Sequence, residues 1–229
     1  MSRIEASLQQ IRQAMAEAAK RSGRNLDEIT LVAASKGAGP EQIQEAAACG
    51  VTTFGENRVQ EAEAKFLESG FLERNGSVSV HLIGPLQTNK VKRSVGFFDL
   101  IHSIDSERLA EKIDQEAARR SVTQQVLVEV NLGEETTKRG VSEEETPRLV
   151  EAVRKKPHLS LLGLMTLPPP TPDPAGARPY FSRLRDLGRT LGLSRFSMGM
   201  SADFEAAIEE GATWVRIGTA IFGPRKTVQ

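Results

Sequence analysis

Apolar residues open this chain at helical spacing and then fall into short runs separated by turn residues. Ile4, Leu8, Ile11 and Met15 share one face of a helix. Ser2 and Glu5 form a capping box at its start, and Gly23 stops it. The run Thr30-Leu31-Val32-Ala33-Ala34-Ser35-Lys36 follows, closed by Gly37-Ala38-Gly39. Pro40 then opens a helix that carries Ile43, Ala46 and Ala47 as far as Gly50. The same alternation repeats to the end of the chain. Residues 51–54, 78–83, 100–104, 125–130, 159–164, 196–198 and 213–217 read as further strands. Helical stretches lie between them: residues 59–67, a helix capped by Ser106 through Leu109, Ile113 and Ala117, and one opened by Ser142 and Glu145 before Leu149 and Val153. Eight short apolar strands alternating with helices predict an α/β fold of parallel βα units. That number favours a single closed (β/α)8 barrel of TIM type, with an extra N-terminal helix, over a doubly wound sheet.

Composition narrows the setting. The 229 residues, 39% of them hydrophobic, suffice for one barrel domain spanning residues 1–229. Lys plus Arg and Asp plus Glu number 30 each, so no global field exists to hold nucleic acid or an anionic membrane. A lone cysteine, Cys49, excludes an intramolecular disulfide framework and suits a reducing, cytoplasmic setting. The start, Met1-Ser2-Arg3-Ile4-Glu5, reads as an amphipathic helix rather than a signal peptide, and no run of apolar residues is long enough to span a bilayer. Six of the 11 prolines crowd into residues 168–179, which predicts a proline-rich surface loop after the sixth strand.

In such barrels chemistry sits at the C-terminal ends of the strands. The first strand ends in Lys36, where partial desolvation would make the amine a Schiff-base nucleophile; a lysine snorkelling from a strand end is the plainer alternative. Strand two leads into Phe54-Gly55-Glu56-Asn57-Arg58, with Asn57 a neutral donor and acceptor and Glu56 and Arg58 a local ion pair. Lys90, Lys92 and Arg93 form a small basic cluster on a helix face. His81, His102 and His158 stand apart without metal-ligand spacing, so no zinc site is expected. After strand seven, Gly199-Met200-Ser201-Ala202-Asp203 precedes a helix at 202–210, with Ser201 as its N-cap and the first-turn N–H groups as an anion site. Asp203 stands where a nucleophile elbow needs glycine. Gly218 and Thr219 offer backbone N–H groups and a hydroxyl after strand eight, and loops seven and eight are the usual phosphate position. Alternation puts Arg216 inside the barrel with Trp214 and Gly218, where a buried cation needs a partner. A ligand's ring nitrogen or phosphate would serve, and so would Glu129 on strand five. An amine, a phosphate cradle and an internal cation together describe pyridoxal 5′-phosphate held as a lysine Schiff base.

The segments Ser35-Lys36, Phe54-Gly55-Glu56-Asn57-Arg58, His81-Leu82-Ile83-Gly84-Pro85-Leu86-Gln87-Thr88-Asn89-Lys90, Gly163-Leu164-Met165 and Ser197-Met198-Gly199-Met200-Ser201-Ala202-Asp203-Phe204 resemble the pyridoxal phosphate homeostasis protein family. The likeness runs over residues 3–225 and implies a barrel of the alanine racemase barrel-domain type. It implies Lys36 as the Schiff-base residue, with Ser201, Gly218 and Thr219 on the phosphate, Arg216 facing the pyridine nitrogen, and Asn57 and Met200 lining the cofactor. The sequence departs from the family pattern at Gly37, where threonine is expected, and at Thr137-Lys138-Arg139-Gly140, where Ser-Lys-Ser-Gly is expected. The second departure puts a cofactor role for Lys138 in question.

The family implies a non-catalytic pyridoxal 5′-phosphate-binding protein that serves intracellular vitamin B6 and amino-acid homeostasis. Apo forms of enzymes that use the cofactor would be its partners, and it would act as a monomer, since the extra dimer-making domain of the racemases is missing. The residues agree with that implication. Racemisation needs proton-transfer groups on both faces of the substrate. Lys36 serves one face; in racemases a tyrosine from a further β domain serves the other. This chain ends a few residues past strand eight, and its only tyrosine, Tyr180, falls on a helix after the proline-rich loop. An arginine at the pyridine nitrogen also weakens the cofactor as an electron sink. Two rivals stay open: a low-activity amino-acid racemase, and an aldolase in which Lys36 attacks a phosphorylated sugar.

Overall fold

The computed structural model describes residues 1–133, 139–171 and 173–224. Among them, nine strands alternate with helices. The strands are β1 (Thr30–Ala34), β2 (Thr53–Glu56), β3 (Ser79–Leu82), β4 (Leu100–Ile104), β5 (Gln124–Asn131), β6 (Val141–Ser142), β7 (Leu159–Met165), β8 (Arg195–Met200) and β9 (Trp214–Ile217). The helices are α1 (Arg3–Arg21), α2 (Pro40–Ala48), α3 (Val59–Ala62), α4 (Phe71–Arg74), α5 (Val91–Ser94), α6 (Glu107–Arg120), α7 (Thr146–Arg154), α8 (Arg178–Thr190), α9 (Phe204–Glu209) and α10 (Thr219–Phe222). The strands pair in the order β4-β3-β2-β1-β9-β8-β7-β5, and β4 pairs with β5 to close the ring. All these pairings are parallel, so the predicted eight-stranded barrel is present. The unpredicted β6 pairs only with the C-terminal end of β5.

Burial explains the closure. An outer apolar layer between strands and helices holds Phe54, Phe66, Ile101, Ile113, Val126 and Phe181, among others. A smaller inner cluster of Val32, Ile83, Leu100, Leu127, Met165 and Trp214 fills the barrel itself. Ser2 caps α1 through the capping box with Glu5. Its buried face of Ile4, Leu8, Ile11 and Met15 joins the outer layer, each such side chain contributing about 1.5–3 kcal/mol. Arg21 of α1 pairs with Glu205 and Glu209 of α9, tying the added helix to the far end of the chain.

Several boundaries shift by a residue or two from expectation, and three of the differences have a clear physical reason. β2 starts two residues late, because the N–H of Val51 still bonds to Ala46 O at the end of α2. The short seventh strand is six residues long as β8, its polar Ser197 facing a polar barrel interior. The loop predicted over 168–179 is shorter: residues Pro174–Ala177 form a 3-10 turn, and Pro179 sits in the first turn of α8, where its missing N–H costs nothing. Pro172 and Lys138 lie outside the described residues. No helix among the described residues is long and apolar enough to cross a membrane.

Candidate functional site

Lys36 lies two residues past the end of β1 rather than at its tip. The N–H of Ser35 still bonds to Gly55 O at 3.0 Å, and the chain then turns at Lys36-Gly37. Gly37 adopts φ +78°, a left-handed conformation that glycine takes without strain. The neighbouring residues are gripped from β2 and α3. Ser35 Oγ donates to Glu56 Oε1 at 2.7 Å, Lys65 Nζ donates to Ser35 O at 2.6 Å, and Gly37 N–H donates to Glu61 Oε1 at 3.1 Å. Glu56 does not form the local pair with Arg58 that the sequence predicts. It is instead fully buried on β2 and pairs with Lys65 at 2.8 Å, because the late start of β2 carries it into the sheet. Burial pushes its carboxyl pKa up, while Lys65 opposes that shift. Lys36 and Asn57 line one cavity of about 510 Å³ together with Arg58, Gln87, Lys90 and Arg139. Four of those six named side chains are basic, an environment that suits an anionic ligand.

The other half of the mouth comes from β8 and β9. Parallel register sets Met200 beside Arg216 and Val32 beside Arg216 on the other flank. Gly218 packs so closely on β1 that a Cβ there would lie 2.9 Å from Ala34 O, which brings this end of β9 against the strand that leads to Lys36. Ser201 is not the N-cap of a helix. Asp203 turns back to accept the Met200 N–H at 2.6 Å, and this tight turn delays α9 until Phe204. Released from capping, Ser201 Oγ faces the N–H of Ala220 at 3.5 Å, at the start of α10. Ser201, Gly218 and Thr219 therefore converge, with Thr219 exposed and Met200 40% exposed.

Arg216 points into the barrel and is 4% exposed. Its guanidinium donates through Nη1 to Ser197 Oγ and through Nη2 to Thr166 O at 2.8 Å. The predicted alternative partner, Glu129, makes no ion pair with it within 4 Å, although each feels the other's charge. Burial lowers the Arg216 pKa to about 10, which leaves it charged at neutral pH. Burial, helped by Asp105, raises the Glu129 carboxyl to about 7, so near neutrality it offers only part of a counter-charge.

Two of the three histidines that stand apart in sequence meet here. His102 Nδ1 lies 2.8 Å from Ser197 Oγ, and His102 Nε2 lies 3.0 Å from His81 Nδ1. Burial lowers the His81 pKa to about 4 and that of His102 well below its usual value, so both rings are neutral. Arginine only donates, so Ser197 Oγ accepts from Arg216. This chain fixes the guanidinium from below. It could not be read from spacing, because β3, β4, β8 and β9 supply one residue each. Tyr180 lies on α8 against the outer apolar layer.

Comparison with known proteins gives these features a lineage. The sequence pattern of the family described as alanine racemase, N-terminal domain, matches residues 6–226. The pyridoxal phosphate homeostasis protein of Aquifex aeolicus is 45% identical over 96% of this chain and 97% of its own length. The protein of that name from Pseudomonas aeruginosa is 41% identical over 98% and 97%. Among solved structures, PipY of Synechococcus elongatus with PLP bound superposes with a TM-score of 0.80 at 34% identity, covering 91% of this chain and all of that one. Fold, length and sequence agree, and the chain belongs to the pyridoxal phosphate homeostasis protein family, on the barrel of the alanine racemase N-terminal domain.

Proposed function

We propose that this protein binds pyridoxal 5′-phosphate at the C-terminal mouth of the barrel and holds it for intracellular vitamin B6 and amino-acid homeostasis, without turning it over. The observation that carries the reading is the parallel pairing of β1 with β9 and of β9 with β8, which sets side by side the strand ends that lead to an amine, a hydroxyl-and-amide cradle and a buried cation. Gly218 in contact with Ala34 joins the first two. Lys36 supplies the amine for the Schiff base. Ser201, Gly218 and Thr219 hold the phosphate, and Asn57 and Met200 line the site. Arg216 keeps N–H groups beyond those used on Ser197 and Thr166, and these face the pyridine nitrogen.

Bound there, the cofactor supplies an aldehyde and an electron-withdrawing ring. This chain's residues blunt the second property. Arg216 is charged, buried and unable to accept a proton, so it holds the pyridine nitrogen unprotonated. Lys36 provides one proton-transfer group, whereas the only tyrosine, Tyr180, packs on the outer layer. Both features support a carrier that delivers the cofactor to apo-enzymes. The family's racemase fold keeps a second reading in view, that of a low-activity amino-acid racemase.

Visible absorbance tests the first reading. Protein incubated with pyridoxal 5′-phosphate and then dialysed should keep a yellow band that Lys36→Ala lacks; a colourless wild-type protein would contradict cofactor binding. Assay of the loaded protein on D- and L-amino acids separates the two readings. Turnover above that of free cofactor would favour the racemase.

A further inference from the structure

The residues on either side of Lys36 are held by a largely buried group of charges, of which only Glu56 falls within the family motifs. Lys65 Nζ donates to three oxygens: Ser35 O at 2.6 Å, Glu56 Oε1 at 2.8 Å and Glu61 Oε1 at 2.8 Å. An ammonium has three hydrogens, and all of them are used. The two carboxylates then reach the Lys36 turn themselves, Glu56 through Ser35 Oγ and Glu61 through the Gly37 N–H. Among the described residues, Lys36 Nζ makes no hydrogen bond at all. The group therefore fixes the backbone before and after the amine and leaves the amine outside its own bonds.

Local structure shows that this arrangement is built. Lys65 stands on a six-residue π-helical stretch, Glu63–Glu68, that continues α3. Such widened turns are rare and are frequently found at functional sites. Phe66 anchors the stretch in a ring cluster, with centroids 5.6 Å from Phe54 and 5.5 Å from Phe71. Glu56 is wholly buried, and its Oε2 has no hydrogen-bond partner. A carboxylate kept under those conditions, with one lysine to balance it, is expensive for stability alone.

We propose that Lys65, with Glu56 and Glu61, is a positioning group that clamps the Ser35-Lys36-Gly37 turn and so presents the Lys36 amine to the cofactor's aldehyde. The proposal rests on the cofactor-binding reading above. It assigns Lys65 no contact with the cofactor and no covalent role.

Glu61 gives the test, since its side chain is partly exposed and its loss leaves Glu56 paired. Glu61→Ala removes the acceptor of the Gly37 N–H, whereas Glu61→Gln keeps an amide oxygen in its place. Amide hydrogen exchange of the peptide covering the turn reads the clamp without cofactor. Equilibrium titration with pyridoxal 5′-phosphate, followed in the visible band, reads its consequence. Glu61→Ala should speed exchange at Gly37 and weaken uptake by roughly tenfold, the weight of one charged hydrogen bond. Glu61→Gln should restore most of both. Lys65→Met should weaken uptake further if it folds, and if it does not, the Glu61 pair decides alone. Unchanged exchange in Glu61→Ala would show that the clamp does not hold the turn. Faster exchange with undiminished uptake would overturn positioning. A wild-type protein that takes up no cofactor would instead sink the binding reading, while the exchange arm still reported on the clamp.

Discussion

The two halves of the barrel mouth hold their parts by opposite means. On the β1–β2 side, side chains do the holding: a partly buried lysine and two glutamates grip the turn around Lys36. On the β8–β9 side, close backbone approach and short side chains bonded to main-chain N–H groups do the holding. Gly218 lies against Ala34, Asp203 bends the chain after β8, and Ser201 meets the Ala220 N–H. The difference matches what each half would have to present under the proposed function. An amine that is to react has to stand clear of its own neighbours, so its supports are placed one residue away on each side. A phosphate asks for several N–H and O–H donors at once, which strand ends and short turns provide with little side-chain help. Beneath both halves, Arg216 is locked by a relay of neutral polar groups and is shared by the two.

Predictions that probe this division can be ranked by size. The largest effect belongs to the shared residue. Arg216→Ala removes a buried side chain and strands Ser197 and the Thr166 carbonyl, which should cost roughly 3–4 kcal/mol in chemical denaturation. A loss below about 1 kcal/mol would mean that the relay contributes little to the fold.

Next comes Glu129, whose carboxyl is raised to about 7. A carboxylate that binds its proton more tightly in the fold than in the unfolded chain lowers stability as pH rises between the two pKa values. This group therefore costs stability from about pH 4.5 up to about 7, and the cost is complete above that window. Glu129→Gln should remove it, raising stability above pH 7 by about 3 kcal/mol at most and leaving it unchanged below pH 4.5. The two buried histidines act in the opposite sense as pH falls from 6.5 towards 4, so the variant should show their acid limb alone. Identical pH–stability curves for variant and wild type would refute the raised carboxyl.

A third substitution couples the halves. A Cβ at Gly218 would meet Ala34 O at 2.9 Å and Ala34 Cβ at 3.3 Å, so Gly218→Ala should push on the end of β1 and destabilise by about 1–2 kcal/mol. It should also disturb uptake at Lys36, although it touches neither the lysine nor its clamp. Stability lost with uptake intact would show the halves to be independent. The smallest effect is expected from Ser201→Ala: about 1 kcal/mol in cofactor affinity, roughly fivefold, with thermal stability unchanged.

Hydrophobic periodicity made the barrel legible, because parallel strands buried on both faces leave short apolar runs that survive small boundary errors. The β4 strand falls where its pattern puts it. The site was legible in part. Lys36, Ser201, Arg216, Gly218 and Thr219 stand at strand ends, which topology brings together. Ser201 reads as a cap in the sequence, since a serine before a helical pattern looks alike whether it caps the helix or precedes a turn closed by an aspartate. Lys65 was missed for a different reason. It lies on what reads as an ordinary solvated helix face, and in the fold it stands on a π-helical stretch and reaches Ser35 O. The meeting of His81 and His102 rests on pairing between neighbouring strands, which no spacing along the chain encodes.

The most direct test of the account is the position of the covalent bond. Protein loaded with pyridoxal 5′-phosphate, reduced with borohydride and digested should carry the stable phosphopyridoxyl group on the peptide containing Lys36, and Lys36→Ala should carry none. Labelling scattered over surface lysines, or concentrated on Lys65 or Lys90 with Lys36 unmodified, would contradict it.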